Sequence, residues 1–112
     1  MAAADQPLQG THVLDLGIWR PAPFATQLLA ELGATVTKVE PPGGDPMRMF
    51  PALYRTLNER KQVVEHDLKD EAGLATVRRL AAEVDVAVEG FRPGVADRLG
   101  VGSLRQSPCV PF

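Results

Sequence analysis

The chain has 112 residues, with 12 Lys and Arg against 14 Asp and Glu, a formal net charge of −2, and 45% hydrophobic residues. That length bounds it at one domain, and the charge balance argues against a basic nucleic-acid footprint. The composition is that of a globular domain, not of a disordered or collagen-like chain. No apolar run approaches the roughly 20 residues that span a bilayer, and residues 1–9 carry neither the basic nor the long apolar segment of a secretory signal. One cysteine, Cys109, excludes an intramolecular disulfide. Cys109 with the separated His12 and His66 does not make a usual zinc ligand set. A cytoplasmic protein without a metal is the expectation. Ten glycines and ten prolines are many for so short a chain. A chain of this size buries a limited share of its surface, so it needs a compact fold of its own or more protein to pack against.

Residues 12–16 (HVLDL) read as a short buried strand, and residues 17–23, with a Gly and two Pro, as a loop. Phe24, Ala25, Leu28, Leu29 and Leu32 then recur at helical spacing. Pro23 suits the first turn of that helix and Gly33 the position just past its end. The β-branched run at 35–40 (TVTKVE) predicts a second strand, which closes a βαβ unit with parallel strands and a right-handed crossover. Residues 41–57 hold four Pro and two Gly without a period and read as a long irregular connection, of the length that is usually functional or disordered. Residues 61–67 (KQVVEHD) suggest a third strand. Asp70 suits the N-cap of a helix whose apolar stripe is Leu74, Val77, Leu80, Ala81 and Val84. Residues 85–88 form a short strand, 90–94 a turn and 95–99 a short helix ended by 100–102; residues 103–112 have little pattern. The alternation favours an α/β sheet with helices on its faces.

In open parallel sheets ligands bind at the carboxyl ends of the strands, near a topological switch point. That rule singles out residues 17–23, 41–48 and 89–98, each with Gly or Pro and at least one Arg. Arg20, Arg48, Arg92 and Arg98 either converge on an anion, for which guanidinium forks are suited, or are solvated surface groups. No Gly-x-Gly-x-x-Gly follows the first strand and no Gly-x-x-x-x-Gly-Lys-Ser/Thr occurs, so a nicotinamide dehydrogenase or P-loop NTPase is a poor reading. Asp15, at the end of the first strand, is placed for catalysis or for hydrogen bonding to the next loop. His66 could point into a cleft and Trp19 could stack on a flat ligand, but a lone His is more often structural and a lone Trp more often packing. Cys109 has no basic partner or helix N-terminus to activate it.

Several stretches, in this order, resemble the class III CoA-transferases, the CaiB/BaiF family. They are VLDL at 13–16, APFATQLLAELGA at 22–34, KVEPPGGDPMR at 38–48, Asn58, Arg60-Lys61, Asp67-Leu68-Lys69, and DVAVEGFRPGVADRLG at 85–100. The resemblance implies a Rossmann-like parallel sheet with flanking helices, the N-terminal part of a larger CoA-transferase fold. Residues 1–102 would belong to its CoA-binding large domain and 103–112 would be a divergent tail. It implies coenzyme A transfer between carboxylic acids, with acyl-CoA and carboxylic acid substrates, no nucleic acid, no membrane, and a homodimer of interlocked chains. Some relatives instead epimerise 2-methylacyl-CoA thioesters, and a non-catalytic CoA-binding or interaction domain is the reading from another class.

Carried over position by position, the resemblance places Trp19 and Arg20 in the loop bordering CoA. It places His66 and Lys69 at the adenine pocket and a phosphate, and Gly90, Phe91 and Arg98 in the segment holding the nucleotide end. Lysine and arginine suit the several phosphate charges of CoA. Three departures stand out. Pro41 replaces a common Arg, and Pro21-Ala22-Pro23 replaces alanine-glycine-proline. The family's catalytic aspartate, which forms a mixed anhydride with the acyl group, comes well after the Phe-Arg-Pro-Gly run, so no catalytic residue is expected within these 112.

Overall fold

The computed structural model describes residues 6–98. In chain order the elements are β1 (His12–Asp15), α1 (Pro21–Glu31), β2 (Thr35–Glu40), a 3-10 helix (Pro46–Met49), α2 (Pro51–Asn58), β3 (Gln62–Glu65), α3 (Glu71–Glu83), β4 (Val86–Val88) and α4 (Val95–Arg98). The four strands make one sheet in the order β3-β2-β1-β4. Every neighbouring pair is parallel, with Val13 opposite Val36 and Val86, and Lys38 opposite Val63. The predicted α/β fold with a βαβ start is therefore the observed one. The divergent tail at 103–112, and Cys109 within it, lie outside the described residues.

Two apolar clusters cover the two faces of the sheet, as a parallel sheet requires. Val13, Val36 and Val88 pack with Ala22, Ala30 and Ala34 on the α1 side. Leu14, Leu16 and Val39 pack with Val77 on the α3 side, where Leu68, Leu74, Leu80, Val84 and Phe91 complete the layer. The predicted stripe of α3 is thus its buried face. Asp70 caps this helix through its side chain, which accepts a bond from the Gly73 amide at 3.3 Å, and Glu71 places a negative charge in the first turn, where the helix dipole favours it.

α1 departs from expectation. Its buried residues are Ala22, Pro23, Thr26, Gln27 and Ala30, whereas Phe24, Leu28 and Leu32 of the predicted stripe are 55%, 47% and 46% exposed. Two physical demands produce this. Small residues let the helix lie close on the sheet, and Thr26 must face a carboxylate below it. The large apolar residues are left on the outer face; Met49, Phe50 and Leu53 are also exposed.

Residues 41–57 also differ from the irregular connection read from the sequence. They hold the 3-10 helix and nearly all of α2. Each helix begins at a proline, whose fixed φ is set for a first turn, and the Asp45 carboxylate accepts the Met47 amide at 2.9 Å. The apolar residues of α2, such as Leu53, are not buried, and Asn58 is its one buried residue.

Candidate functional site

The carboxyl ends of the strands lead into four connections: 16–20 after β1, 41–45 after β2, 66–70 after β3 and 89–94 after β4. β1 has β2 on one side and β4 on the other, and the connections leave toward opposite faces, with α1 on one and α3 on the other. The switch point therefore falls between β1 and β4, the place where ligands of such sheets generally bind.

A buried polar network lies under the β1 loop. Asp15, fully buried, accepts the Gly17 amide at 2.8 Å on Oδ1, and the Thr26 hydroxyl at 2.6 Å and Lys61 Nζ at 3.0 Å on Oδ2. Lys61 Nζ also donates to the Pro23 carbonyl and to Asn58 Oδ1, both at 2.9 Å, so its three protons are all used. Beside it, Lys38 Nζ donates to Asp45 Oδ2 at 2.7 Å and to the Gly17 carbonyl at 3.2 Å, in an ion pair fully removed from water. Asp45 Oδ1 accepts the Trp19 amide at 3.2 Å. Farther along β2, Glu40 accepts the Asp45 amide, Arg48 Nε at 2.8 Å and the Tyr54 hydroxyl, and the Arg48 guanidinium lies 4.3 Å above the centre of the Tyr54 ring.

This packing shifts the ionisable groups. Burial raises the Glu40 carboxyl, but the bonds from Tyr54, Arg48 and the Asp45 amide outweigh it and hold the carboxyl below its usual range. Burial and Glu40 together push the Tyr54 hydroxyl well up. Burial pulls the Lys61 ammonium down, only partly offset by Asp15. A carboxylate with a lowered folded pKa stabilises the fold above the unfolded value, and that contribution is lost as pH falls through the folded value. The melting temperature should therefore drop on acidification below about pH 4.5, and Glu40→Gln should flatten that drop. Parallel wild-type and variant curves in thermal scans at stepped pH would contradict the assignment.

Six of the seven predicted site residues fall at three of the four connections, and Arg98 ends α4. Trp19 and Arg20 line a hollow with Met47, Phe50 and Leu53. Trp19 is 43% exposed, and its φ of +64° makes it the one non-glycine residue in the left-handed region among the described residues. His66 follows β3, and its amide donates to the Glu40 carbonyl at 3.0 Å, which continues the ladder. Lys69 sits in the turn before α3, its amide bound to Asp67 Oδ1 at 2.9 Å, with its side chain exposed. Gly90 is exposed after β4, close to Ala22 at the start of α1. Phe91 packs against the α3-side cluster, and Arg98 is exposed at the end of α4.

The strand order sets how these groups meet. His66 and Lys69 lie at the β3 edge and Gly90, Phe91 and Arg98 at the β4 edge, with Trp19 and Arg20 between them. Three interstrand spacings separate the edges, about 14 Å. Of the four arginines, Arg48 pairs with Glu40 through Nε and stacks on the Tyr54 ring. Asp15 is a structural carboxylate, occupied by three donors.

Sequence reasoning missed the network of Lys38, Lys61, Asp45 and Glu40. A signal for it was present, because Val36, Lys38 and Glu40 share one face of a strand that a parallel sheet covers on both sides, and a charge buried there needs a partner. Among the described residues, no helix is long and apolar enough to cross a membrane.

Residues 8–108 match the family model for CoA-transferase family III. The chain belongs to this family, also called CaiB/BaiF. It is 42% identical over 106 residues to the succinyl-CoA–D-citramalate CoA-transferase of Chloroflexus aurantiacus, an alignment covering 87% of this chain and 26% of that protein. It is 38% identical over 106 residues to the human succinyl-CoA:glutarate CoA-transferase, covering 87% of this chain and 24% of that one. A crystal structure of a CaiB/BaiF family protein from Brucella suis superposes with a TM-score of 0.82 at 34% identity, over 88% of this chain and 31% of that chain. The chain thus spans about a quarter of the length of the curated relatives it matches.

Proposed function

We propose that this chain is the nucleotide-binding part of a cytoplasmic CoA-transferase that moves coenzyme A between carboxylic acids and works as a homodimer. The observation that carries the reading is the family match over residues 8–108; the hollow lined by Trp19 and Arg20 after β1 supports it. The proposed ligand residues are Trp19, Arg20, His66, Lys69, Gly90, Phe91 and Arg98. The exposed Lys69 and Arg98 stand at the two edges of the sheet, and a span of about 14 Å between edges suits an extended nucleotide with phosphates at separate points. Exposed cations meet phosphate oxygens through charge-assisted hydrogen bonds, and the half-exposed Trp19 offers a flat apolar face.

In the full reaction a carboxylate attacks the thioester carbonyl and the carbon–sulfur bond breaks. CoA thiolate leaves and an aspartyl anhydride remains, from which a thioester is later rebuilt. The resemblance puts that aspartate beyond the Phe91-Arg92-Pro93-Gly94 run, so these 112 residues bind the nucleotide and show no transfer on their own.

Calorimetric titration of the purified chain with coenzyme A tests the binding, and an assay with an acyl-CoA donor and a carboxylate acceptor tests the chemistry. Saturable binding is expected, weakened by Lys69→Ala and by Arg98→Ala by about 1.5–3 kcal/mol each. No saturable binding, or turnover by this chain alone, would overturn the corresponding part.

A further inference from the structure

We propose that Asp45 is a positioning residue for the nucleotide loop, holding Trp19 in its left-handed conformation so that the indole faces the ligand. The inference deepens the nucleotide-binding reading and rests on it. Trp19 adopts φ +64°, a conformation that strains a bulky side chain and persists only where the surroundings over-determine it. Here they do so from below. Asp45 Oδ1 accepts the Trp19 amide and, on the same oxygen, the Met47 amide, which anchors the β1 loop to the start of the 3-10 helix. Lys38 fixes the other Asp45 oxygen and also grips the Gly17 carbonyl. Gly17 itself has no room for a side chain, since a Cβ there would lie 2.3 Å from the Ala22 Cβ. Both ends of the loop are therefore tied to one buried ion pair, and Trp19 and Met47 come together in the hollow that also holds Arg20, Phe50 and Leu53.

Two paired replacements separate this role from plain packing. Lys38→Met with Asp45→Leu removes both buried charges and the oxygen that holds Trp19. Lys38→Met with Asp45→Asn removes both charges but keeps an acceptor oxygen. The chain has one tryptophan, so its emission reports on Trp19 alone. Relative to the Asn pair, the Leu pair should show steeper acrylamide quenching and a dissociation constant for coenzyme A raised about fivefold, the effect of losing one neutral hydrogen bond. Melting temperatures check that both fold.

Equal quenching in the two pairs, or equal coenzyme A affinity, overturns the proposal. In the wild-type chain, hydrogen exchange at the Trp19 amide gives a reading independent of any variant: slow exchange is expected, and exchange at the rate of a free peptide overturns it. Failure of the wild-type chain to bind coenzyme A overturns instead the nucleotide reading beneath it, while the quenching comparison still decides whether Asp45 holds the loop.

Discussion

Lys61→Met should cost about 3–5 kcal/mol of folding stability, the usual result of removing one partner from a buried ion pair. The Lys61 and Asp15 side chains are both fully removed from water. Without the ammonium, Asp15 keeps the Gly17 amide and the Thr26 hydroxyl but has no positive charge to offset its own. The Pro23 carbonyl and Asn58 Oδ1 lose a donor as well. Domains commonly have only about 5–15 kcal/mol in total, so much of the chain would be unfolded under mild denaturant. A urea titration followed by circular dichroism measures this through the midpoint. Adding Asp15→Asn to Lys61→Met should recover part of the loss, because the lone charge is then gone. A midpoint unmoved by Lys61→Met would show that the pair contributes nothing.

Gly73→Ala should also be strongly destabilising, against the ordinary trend. A glycine inside a helix is usually worth replacing, since alanine gains roughly 0.5–1 kcal/mol there. At Gly73 a Cβ would lie 2.3 Å from the Asp67 carbonyl oxygen and 3.0 Å from the Asp67 amide nitrogen. These are backbone atoms, and the turn that holds them is closed by the Asp67 carbonyl to the Asp70 amide and by Asp67 Oδ1 to the Lys69 amide. The helix start and the turn must separate, at a net cost of about 1–3 kcal/mol. Because Lys69 rides on that turn, coenzyme A affinity should fall together with melting temperature. A raised melting temperature for Gly73→Ala would contradict the close approach.

The parts of this fold that follow from periodicity were legible in the sequence. The stripe of α3, its Asp70 cap and the parallel βαβ start all express themselves within a few neighbouring residues. α1 was legible as a helix but not in its facing, because the face it buries is chosen by a partner distant in sequence, the Asp15 carboxylate that Thr26 satisfies. α2 escaped detection because it buries Asn58 and no apolar stripe. The network failed to appear for a related reason: Lys61 meets Asp15 across 46 positions, and Lys38 meets Gly17 across 21. Of the candidate site residues, Trp19 and Arg20 are joined by a hollow, and the edge groups are brought to the same end of the sheet by strand order alone. The family resemblance supplied what local patterning does not, namely which of the exposed cations to single out.

The outer face of α1 departs from the usual arrangement of a surface helix. Lysine and aspartate sit sealed beneath a helix whose phenylalanine and leucines look outward. Any clustering through that face would follow concentration, whereas the salt pairs beneath it are intramolecular and independent of it.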